Sequence, residues 1–286
     1  MKALVIGAAK ALAVWMVLLI GATVGGLLFF HGTSNTAPDG GPLTAGQALL
    51  GVNAMHAILL AVLASQSRLR GWALGATLAV VLWGIGSFMS LIEAVVFNND
   101  LHMSQCVLLS AAGSAVFSDV LAGIAIALLW RGKNAEPAPA VRGLVWKFPL
   151  IGVFYVVCYF TAGALIAWQS PAVRAYYAHV QQISFPFLVG VQIARGIGWG
   201  LLILLLVRAL NGSLWQKAFL AGLALVVFMV PQLLFPNPIM PWPVRSQHMI
   251  EITTSNFIFG LLSVLLLLAG AAKASFQPNA ETAPSA

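Results

Sequence analysis

A chain of 286 residues that is 60% hydrophobic and only 7% charged has more apolar surface than a soluble domain of this length can bury in one core. This composition excludes a soluble globular enzyme or binding module. The formal net charge of +7 would favour nucleic acid as a partner in a soluble protein. The basic residues are scattered along the chain, however, so we expect anionic lipid headgroups as their partner and no nucleic acid.

The apolar runs of the sequence predict eight transmembrane helices. A hydrocarbon layer about 30 Å thick is crossed by about 20 apolar residues in a helix, and lipid does not tolerate irregular backbone. A further short helix is expected at the membrane interface over residues 171–182. The sequence therefore predicts an all-α, polytopic membrane protein. Its spans are roughly residues 8–30, 47–65, 72–97, 104–130, 148–168, 186–208, 217–235 and 250–270.

The basic residues predict which side of the membrane each connection faces. Eleven of the 14 Lys and Arg residues fall on one side when the chain crosses eight times, and an excess of basic residues marks the cytoplasmic side. Both termini are then cytoplasmic. The first apolar run continues to Phe30 without a small-residue cleavage site, so we expect a retained helix rather than a secretory signal. These features predict a multi-pass protein of the cell inner membrane.

A polar, proline-rich stretch divides the eight predicted helices four and four. Residues 132–141 read GKNAEPAPAV, a composition typical of a linker. We therefore predict a first four-helix half over residues 1–134, a cytoplasmic linker over 135–146 and a second four-helix half over 147–273. Residues 274–286 form a short polar tail that we expect to be disordered.

The two predicted halves resemble each other weakly in sequence. GVNAMH at 51–56 aligns with GVQIAR at 190–195 at an offset of 139, and EAVVFNN at 93–99 aligns with PQLLFPN at 231–237 at an offset of 138. Because similar offsets recur in chain order, we predict an internal duplication. Four helices in each half keep both copies in the same orientation, so the halves would be related by an axis along the membrane normal.

Four ionisable residues, His56, Glu93, Asp119 and Arg195, lie within the predicted helices. An ionisable side chain at the centre of a transmembrane helix costs about 2.5–3.5 kcal/mol on insertion scales, so each should face protein or water and have a partner. The alignment of the halves places His56 over Arg195. We predict an ion pair between Glu93 and Arg195 with His56 nearby. The structural alternative is a pair that only fixes the helix register.

A second polar stripe begins the eighth predicted helix. Arg245, His248 and Glu251 are spaced by three residues and therefore lie on one side of the helix. Asn53 shares a face of the second helix with His56. These residues belong to the outer half of the membrane, whereas the inner halves of the helices are almost purely apolar. We predict a polar, ligand-binding pocket open to the periplasm and formed by Asn53, His56, Glu93, Arg195, Arg245, His248 and Glu251.

The sequence favours binding over any recognisable catalytic mechanism. It contains no Gly-rich phosphate loop and no His-Glu-x-x-His metal motif. Two arginines at the level of the pocket would also repel a metal cation. We therefore predict no metal and no cofactor, and the sequence identifies no catalytic residue.

Guanidinium groups match carboxylates and phosphates, and histidines exchange protons near neutral pH. The favoured hypothesis is therefore a secondary transporter or permease that binds a small or lipid-like anion, with membrane lipid as its other partner. Two alternatives stay open. One is an intramembrane enzyme that acts at the outer leaflet, either metal-assisted or by acid–base catalysis from His and Glu. The other is a non-catalytic sensor or structural subunit. The sequence indicates no oligomeric state.

Overall fold

The computed structural model describes residues 2–30, 40–98, 103–136, 138, 141–178, 183–237 and 240–269. The predicted linker is described only in part, and the predicted tail lies outside the described residues. Within these ranges the chain forms nine α-helices: α1 (Lys2–Phe29), α2 (Ala45–Gln66), α3 (Gly71–Val96), α4 (Gln105–Leu129), α5 (Leu144–Leu165), α6 (Pro171–Tyr177), α7 (Phe185–Ala209), α8 (Leu214–Met229) and α9 (Trp242–Leu268).

Every helix except α6 belongs to a segment long and apolar enough to cross a bilayer, which gives eight such helices in the described residues. Each of the eight exposes large apolar side chains. Ile58 on α2, Leu109 on α4 and Val153 on α5 are 60%, 72% and 52% exposed, for example. Apolar surface of this extent requires lipid as its solvent. The prediction of an all-α fold with eight helices of membrane-spanning length is confirmed.

The starts of α2 and α8 are fixed by capping boxes, in which two side chains satisfy backbone donors that the helix leaves free. At α2, the Thr44 hydroxyl accepts from the backbone N–H of Gln47 at 3.2 Å, and the Gln47 side chain accepts from the backbone N–H of Thr44 at 2.9 Å. At α8, Ser213 and Gln216 make the same exchange at 3.3 and 2.8 Å. Both helices therefore begin where the sequence supplies a hydroxyl followed three residues later by glutamine.

The connections at one end of the bundle are joined by main-chain hydrogen bonds. The N–H of Arg68 donates to the carbonyl of Ala209, and the N–H of Asn211 donates to the carbonyl of Gln66, both at 2.8 Å. The Ser67 hydroxyl also donates to Ala209, at 2.9 Å. We call this the basic end, which comprises residues 66–70, 130–136, 143–147, 209–213 and 267–269. The other end of the bundle is the distal end.

The amino group of Lys147, near the start of α5, is buried at the basic end. It donates to the carbonyls of Leu267 and Ala269 at 2.6 and 3.0 Å. These carbonyls belong to the end of α9, where the helix dipole favours a positive charge. Lys147 therefore caps α9 and joins α5 to it.

A π-helical turn over Gly84–Phe88 interrupts α3, where the sequence analysis predicted a continuous helix. The glycines of this turn allow close approach of two other helices. A Cβ on Gly84 would lie 2.6 Å from the side chain of Leu202 in α7, and one on Gly86 would lie 3.0 Å from the carbonyl of Phe228 in α8. The extra residue of a π turn rotates the rest of α3, including Glu93, by roughly 100°.

The first four long helices pack in the same order as the last four. Helix α1 packs against α2 and α4, and α3 packs against α4; likewise α5 packs against α7 and α9, and α8 packs against α9. Both the α3–α4 and the α8–α9 crossings use two facing glycines. A Cβ on Gly123 would lie 2.8 Å from the carbonyl of Gly75, and one on Gly260 would lie 2.8 Å from the Cα of Gly222. Between the two sets, α3 packs against α7 and α2 against α8.

Candidate functional site

A buried arginine on α7 makes the central ion pair of the protein. Arg195 is only 1% exposed, and its Nη1 lies 2.5 Å from Oε1 of Glu93 on α3. The same nitrogen donates to the side-chain oxygen of Gln192 at 2.8 Å. The side chain of Glu93 keeps 30% of its surface accessible. The predicted ion pair between Glu93 and Arg195 is therefore confirmed, and it connects α3 with α7.

A third helix, α5, also contacts this ion pair, through the ring of Tyr155, which the sequence analysis did not predict as a site residue. The guanidinium carbon of Arg195 lies 5.6 Å from the centroid of the Tyr155 ring, a cation–π arrangement. Glycines bring the two helices together here, because a Cβ on Gly196 would lie 2.8 Å from the Cα of Gly152. Tyr155 lies three residues after Gly152, so it reaches the arginine from the point where the backbones touch.

Three donor atoms in this cluster remain without a hydrogen bond. Nε and Nη2 of Arg195 and Nε2 of Gln192 are buried and have no hydrogen-bond partner among the described residues. An unsatisfied buried donor costs about 1–3 kcal/mol. All three belong to one face of α7, and guanidinium groups bind carboxylate and phosphate oxygens in pairs. The arrangement is therefore suited to an oxyanion that would accept from Arg195.

A second ionisable cluster joins α6 to α9. Nδ1 of His248 lies 2.6 Å from Oε2 of Glu251, and Nε2 of His248 lies 3.1 Å from the hydroxyl of Tyr177. A carboxylate can only accept, so with an ionised Glu251 the proton of a neutral His248 lies on Nδ1, and Nε2 accepts from the Tyr177 hydroxyl. Tyr177 was not a predicted site residue. The short helix predicted over residues 171–182 is present as α6 over Pro171–Tyr177, and it places Tyr177 there.

The phenol of Tyr177 stays protonated in this cluster. Burial raises the pKa of Tyr177 above its usual range, and the neighbouring Tyr176 and the carboxylates of Glu93 and Glu251 raise it further. The Tyr177 hydroxyl is therefore a neutral group that can donate and accept a hydrogen bond at the same time.

One face of α5 connects the two clusters. Tyr155, Tyr159 and Gly163 are spaced by four residues and so lie along one side of the helix. Tyr155 faces Arg195, and a Cβ on Gly163 would lie 3.5 Å from Oε1 of Glu251. The rings of Tyr155 and Tyr159 are 6.3 Å apart, and Tyr159 lies within electrostatic range of Glu93, Arg195 and Glu251. The Glu93 and Glu251 clusters are thus neighbours.

The buried guanidinium of Arg245 contacts main-chain carbonyls of three residues. Its Nη1 donates to the carbonyls of Leu233, at 3.0 Å, and Phe235, and its Nη2 donates to Gly40 at 3.5 Å. Its guanidinium also lies over the Trp242 ring, 5.4 Å from the centroid. Arg245 therefore ties together loops of the distal end, and its predicted role in ligand binding stays a prediction.

Asn53 and His56 lie on α2, and their described contacts are with residues outside the two ionisable clusters. The Asn53 amide donates to the carbonyl of Leu49 in its own helix at 2.8 Å. The His56 ring lies edge-on against Phe228 of α8, with the ring centroids 5.6 Å apart. No described hydrogen bond brings either residue to Glu93 or Arg195. The expectation that His56 would lie beside the ion pair is not supported by these contacts.

Two other features lie apart from the ionisable clusters. Within the described residues, no three His, Cys, Asp or Glu side chains are grouped closely enough to hold a metal ion. A groove of about 550 Å³ runs between α1 and α4 and is lined by apolar side chains that include Phe29, Leu109 and Val120. The buried Asp119 lies on α4, next to the Ser118 that packs against Gly21 of α1.

Comparisons of the chain with protein-family models, with curated proteins and with solved structures gave no match. Its class therefore follows from the fold and the site alone. Eight apolar helices make the chain an integral, multi-pass membrane protein. Its ionisable residues Glu93 and Arg195, with Tyr177, His248 and Glu251 beside them, belong to four different helices.

Proposed function

We propose that this protein is a secondary transporter or permease that binds a small or lipid-like anion at Arg195 and takes up a proton on Glu93 with it. The observation that carries this proposal is the incomplete hydrogen bonding of Arg195. Only Nη1 bonds to protein, while Nε and Nη2 are buried and have no partner among the described residues. A carboxylate or phosphate that accepts from these two nitrogens would complete their hydrogen bonding.

The proton on Glu93 is proposed because it keeps the site electrically neutral when an anion is bound. The pair of Arg195 and Glu93 is neutral, and an anion beside it would add a net negative charge in a region of low dielectric. Such a charge is costly unless it is compensated. A proton on Glu93 restores neutrality, because the arginine then balances the bound anion. Among the described residues, the carboxylate of Glu93 pairs with Arg195, and Tyr155, Tyr159 and Tyr177 lie within electrostatic range of it.

We further propose that the basic end is cytoplasmic and that the protein lies in the cell inner membrane. The connections of the basic end carry Arg68, Arg70, Arg131 and Lys133, and basic residues are retained on the cytoplasmic side. The two ionisable clusters would then be reached from the periplasm. With Cys106 and Cys158 replaced by alanine, a cysteine in place of Ser170 should react with a membrane-impermeant maleimide in intact cells, whereas one in place of Lys133 should react only after lysis. The reverse pattern would invert the proposed orientation.

An internal duplication is the architecture that we propose for transport. It is supported by the equal packing order of α1–α4 and of α5, α7, α8 and α9. The reciprocal hydrogen bonds between residues 66–68 and 209–211 also fit a two-fold axis at the ends of α2 and α7. A two-fold axis through these hydrogen bonds would relate residues 66–68 to 209–211. This pairing is shifted by about one helical turn from the sequence alignment, so it does not pair His56 with Arg195. Two halves around an axis along the membrane normal could rock about a site between them.

The proposed function is tested by calorimetric titration of the purified protein in nanodiscs with acetate, inorganic phosphate and oleoyl lysophosphatidic acid. Titrations in two buffers of different ionisation enthalpy count the protons taken up. We expect one of the probes to bind with uptake of one proton, and its affinity to fall about tenfold per pH unit as the pH rises. Binding of acetate or phosphate would indicate a soluble anion, and binding of the lysolipid alone would indicate a lipid-like one.

Two variants and one control define the site in this experiment. Arg195→Gln should abolish binding. Glu93→Gln should bind the probe without taking up a proton, since glutamine already has the neutral form. Arg174→Gln is the matched control, because Arg174 lies at the same end of the bundle and donates to the carbonyls of Trp168 and Gln169. The proposal is overturned if none of the three probes binds, or if Arg195→Gln binds like the wild type.

A further inference from the structure

We infer that Tyr177, His248 and Glu251 form a nucleophilic site at which the Tyr177 hydroxyl takes the acyl group of a carboxylic ester. This activity goes beyond the proposed function and shares no residue with the anion site at Glu93 and Arg195. It is carried by the order of the hydrogen bonds in the cluster. A hydroxyl bonds to one nitrogen of an imidazole and a carboxylate to the other, which is the arrangement of a nucleophile, its general base and the group that orients the base.

His248 is placed to remove the phenolic proton of Tyr177. Its Nδ1 lies 2.6 Å from Oε2 of Glu251, which keeps the ring proton on that nitrogen. Nε2 is then an acceptor, and it lies 3.1 Å from the Tyr177 hydroxyl, within the reach of a general base. Tyr177 and His248 are therefore the catalytic residues of this site, and Glu251 is a positioning residue that acts through His248.

Gly163 and Trp168 border the space beside these three residues. The position of a Cβ on Gly163 lies 3.5 Å from Oε1 of Glu251 and 4.0 Å from Nε1 of Trp168, so the glycine leaves room between them. The rings of Trp168 and Tyr177 are 5.7 Å apart. The indole N–H of Trp168 is a donor that can stabilise the oxyanion of a tetrahedral intermediate.

The site is also accessible from outside the protein. Trp168 is 49% exposed, and the side chains of His248 and Glu251 keep 16% and 12% of their surface accessible. An ester can therefore approach past Trp168, while the base and its carboxylate remain sheltered enough to keep their hydrogen bond.

The reaction is balanced with water as the only other reactant. The phenol oxygen of Tyr177 bonds to the carbonyl carbon of the ester while Nε2 of His248 takes the phenolic proton. That proton passes to the oxygen of the leaving alcohol as its bond to carbon breaks, and the acyl group stays on Tyr177. Water, deprotonated by the same nitrogen, then releases the acid, and the proton returns to the phenol. Glu251 balances the charge of the imidazolium that forms in each half of the reaction.

The first step is tested with phenylmethylsulfonyl fluoride on the full-length protein in nanodiscs. The phenol oxygen bonds to sulfur and fluoride leaves, so the reagent remains on the tyrosine and peptide mass spectrometry measures the rate. We expect Tyr177 to react about 10²-fold faster than Tyr176, the lower range for help from a general base. Tyr176 is the internal control on the same helix, because His248 uses its two nitrogens for Tyr177 and Glu251.

Two histidine variants show whether His248 is the base. His248→Gln should slow the labelling of Tyr177 to the rate of Tyr176. His56→Gln is the matched control, because His56 is another histidine of the protein interior and packs against Phe228 instead. It should leave the labelling of Tyr177 at the wild-type rate.

The complete reaction is tested with p-nitrophenyl acetate and p-nitrophenyl palmitate, which distinguish a soluble ester from a lipid-like one. Tyr177→Phe should abolish hydrolysis of the ester that the wild type cleaves. Glu251→Gln should lower kcat and leave KM unchanged, because an amide no longer fixes the ring proton on Nδ1. A merely structural role of Glu251 would not separate the two constants in this way.

The inference is overturned if Tyr177 and Tyr176 react equally fast in the wild type, or if His248→Gln labels Tyr177 at the wild-type rate. It is equally overturned if the wild type hydrolyses both esters no faster than Tyr177→Phe does. None of these results bears on the proposed function, which is tested by anion binding at Arg195.

Discussion

The basic end and the ionisable clusters satisfy their buried polar groups in different ways. At the basic end, Ser67 and Lys147 donate to main-chain carbonyls, and the segments around Arg68 and Asn211 exchange backbone hydrogen bonds. In the clusters, side chains bond to side chains, and two nitrogens of Arg195 have no partner among the described residues. The backbone–backbone hydrogen bonds at the basic end depend little on side-chain identity or protonation. Side-chain contacts depend on both.

This difference separates a region that holds helices together from a region that can respond to pH and to a ligand. Protonation of Glu93 or His248 would change the charges that join α3 to α7 and α6 to α9. No such change is available to the backbone hydrogen bonds between residues 66–68 and 209–211. In the proposed transport cycle, the bonds of the basic end must therefore be broken mechanically, by separation of the halves.

The largest effect is expected from a covalent lock on the basic end. Ser67 and Leu210 form an antiparallel bridge, in which Cα atoms are about 4.5–5.5 Å apart, a distance that a disulfide can span. With Cys106 and Cys158 replaced by alanine, Ser67→Cys/Leu210→Cys should cross-link, which a gel shift with a polymer-linked maleimide detects. Flux of the bound anion into proteoliposomes should then fall to background and return on reduction.

Anion binding to the cross-linked protein should stay unchanged, because the lock lies far from Arg195. The two single-cysteine variants serve as controls and should transport like the wild type. Wild-type flux in the cross-linked protein would show that the halves do not separate at the basic end.

A smaller effect is expected from Arg195→Leu, which leaves Glu93 and Gln192 without their shared donor. We expect a loss of about 3 kcal/mol in the free energy of unfolding, the lower end for a broken buried pair, because Glu93 is partly accessible. Unfolding by SDS in mixed micelles measures it. Glu93→Gln in the same chain should recover part of the loss. Arg131→Leu, at an exposed site of the basic end, should change stability by less than about 0.5 kcal/mol.

Gly196→Ala tests the close approach that positions Tyr155. The new methyl group would lie 2.6 Å from Cβ of Tyr155 and 2.8 Å from Cα of Gly152, and overpacking of this kind costs about 1–3 kcal/mol. Gly190→Ala is the control on the same helix, since a Cβ there meets nothing within 4 Å. It should leave stability equal or higher. Equal effects of the two substitutions in SDS unfolding would contradict the proposed contact.

The smallest effect is expected at a helix start. Ser213→Ala at the basic end removes the hydroxyl that caps α8 and should cost about 1 kcal/mol in the same unfolding assay. Ser184 precedes α7 at the distal end and makes no side-chain cap. Ser184→Ala should therefore be neutral, and a larger loss there than at Ser213 would contradict the contrast between the two ends.

The eight helices and the Glu93–Arg195 pair could be predicted from the sequence because they follow from solvation. Runs of about 20 apolar residues have one stable arrangement in lipid, and a buried arginine needs an acidic partner. The chain has only seven acidic residues, so few of them could be the partner of Arg195. The stripe of His248 and Glu251 followed from their spacing on one helix.

The remaining parts of the site depend on how helices touch, which spacing alone does not give. The π turn in α3 changes the direction of Glu93, and its only sequence signal is the pair of Gly84 and Gly86. Tyr155 and Tyr159 were missed because tyrosine suits an apolar helix equally well as a packing residue. Arg245 was expected in the pocket because its charge was visible in the sequence, while the loop carbonyls that it contacts were not.

Because of the π turn in α3, the Glu93 carboxylate can change direction without a movement of the whole helix. Such a turn holds one residue more than a regular helix of equal length, and that surplus can in principle lie at successive places along the axis. A shift of the surplus across Glu93 would swing its side chain through a fixed angular step while both ends of α3 stayed where they are. The position of the π turn within α3 therefore determines whether the Glu93 side chain is directed at Arg195.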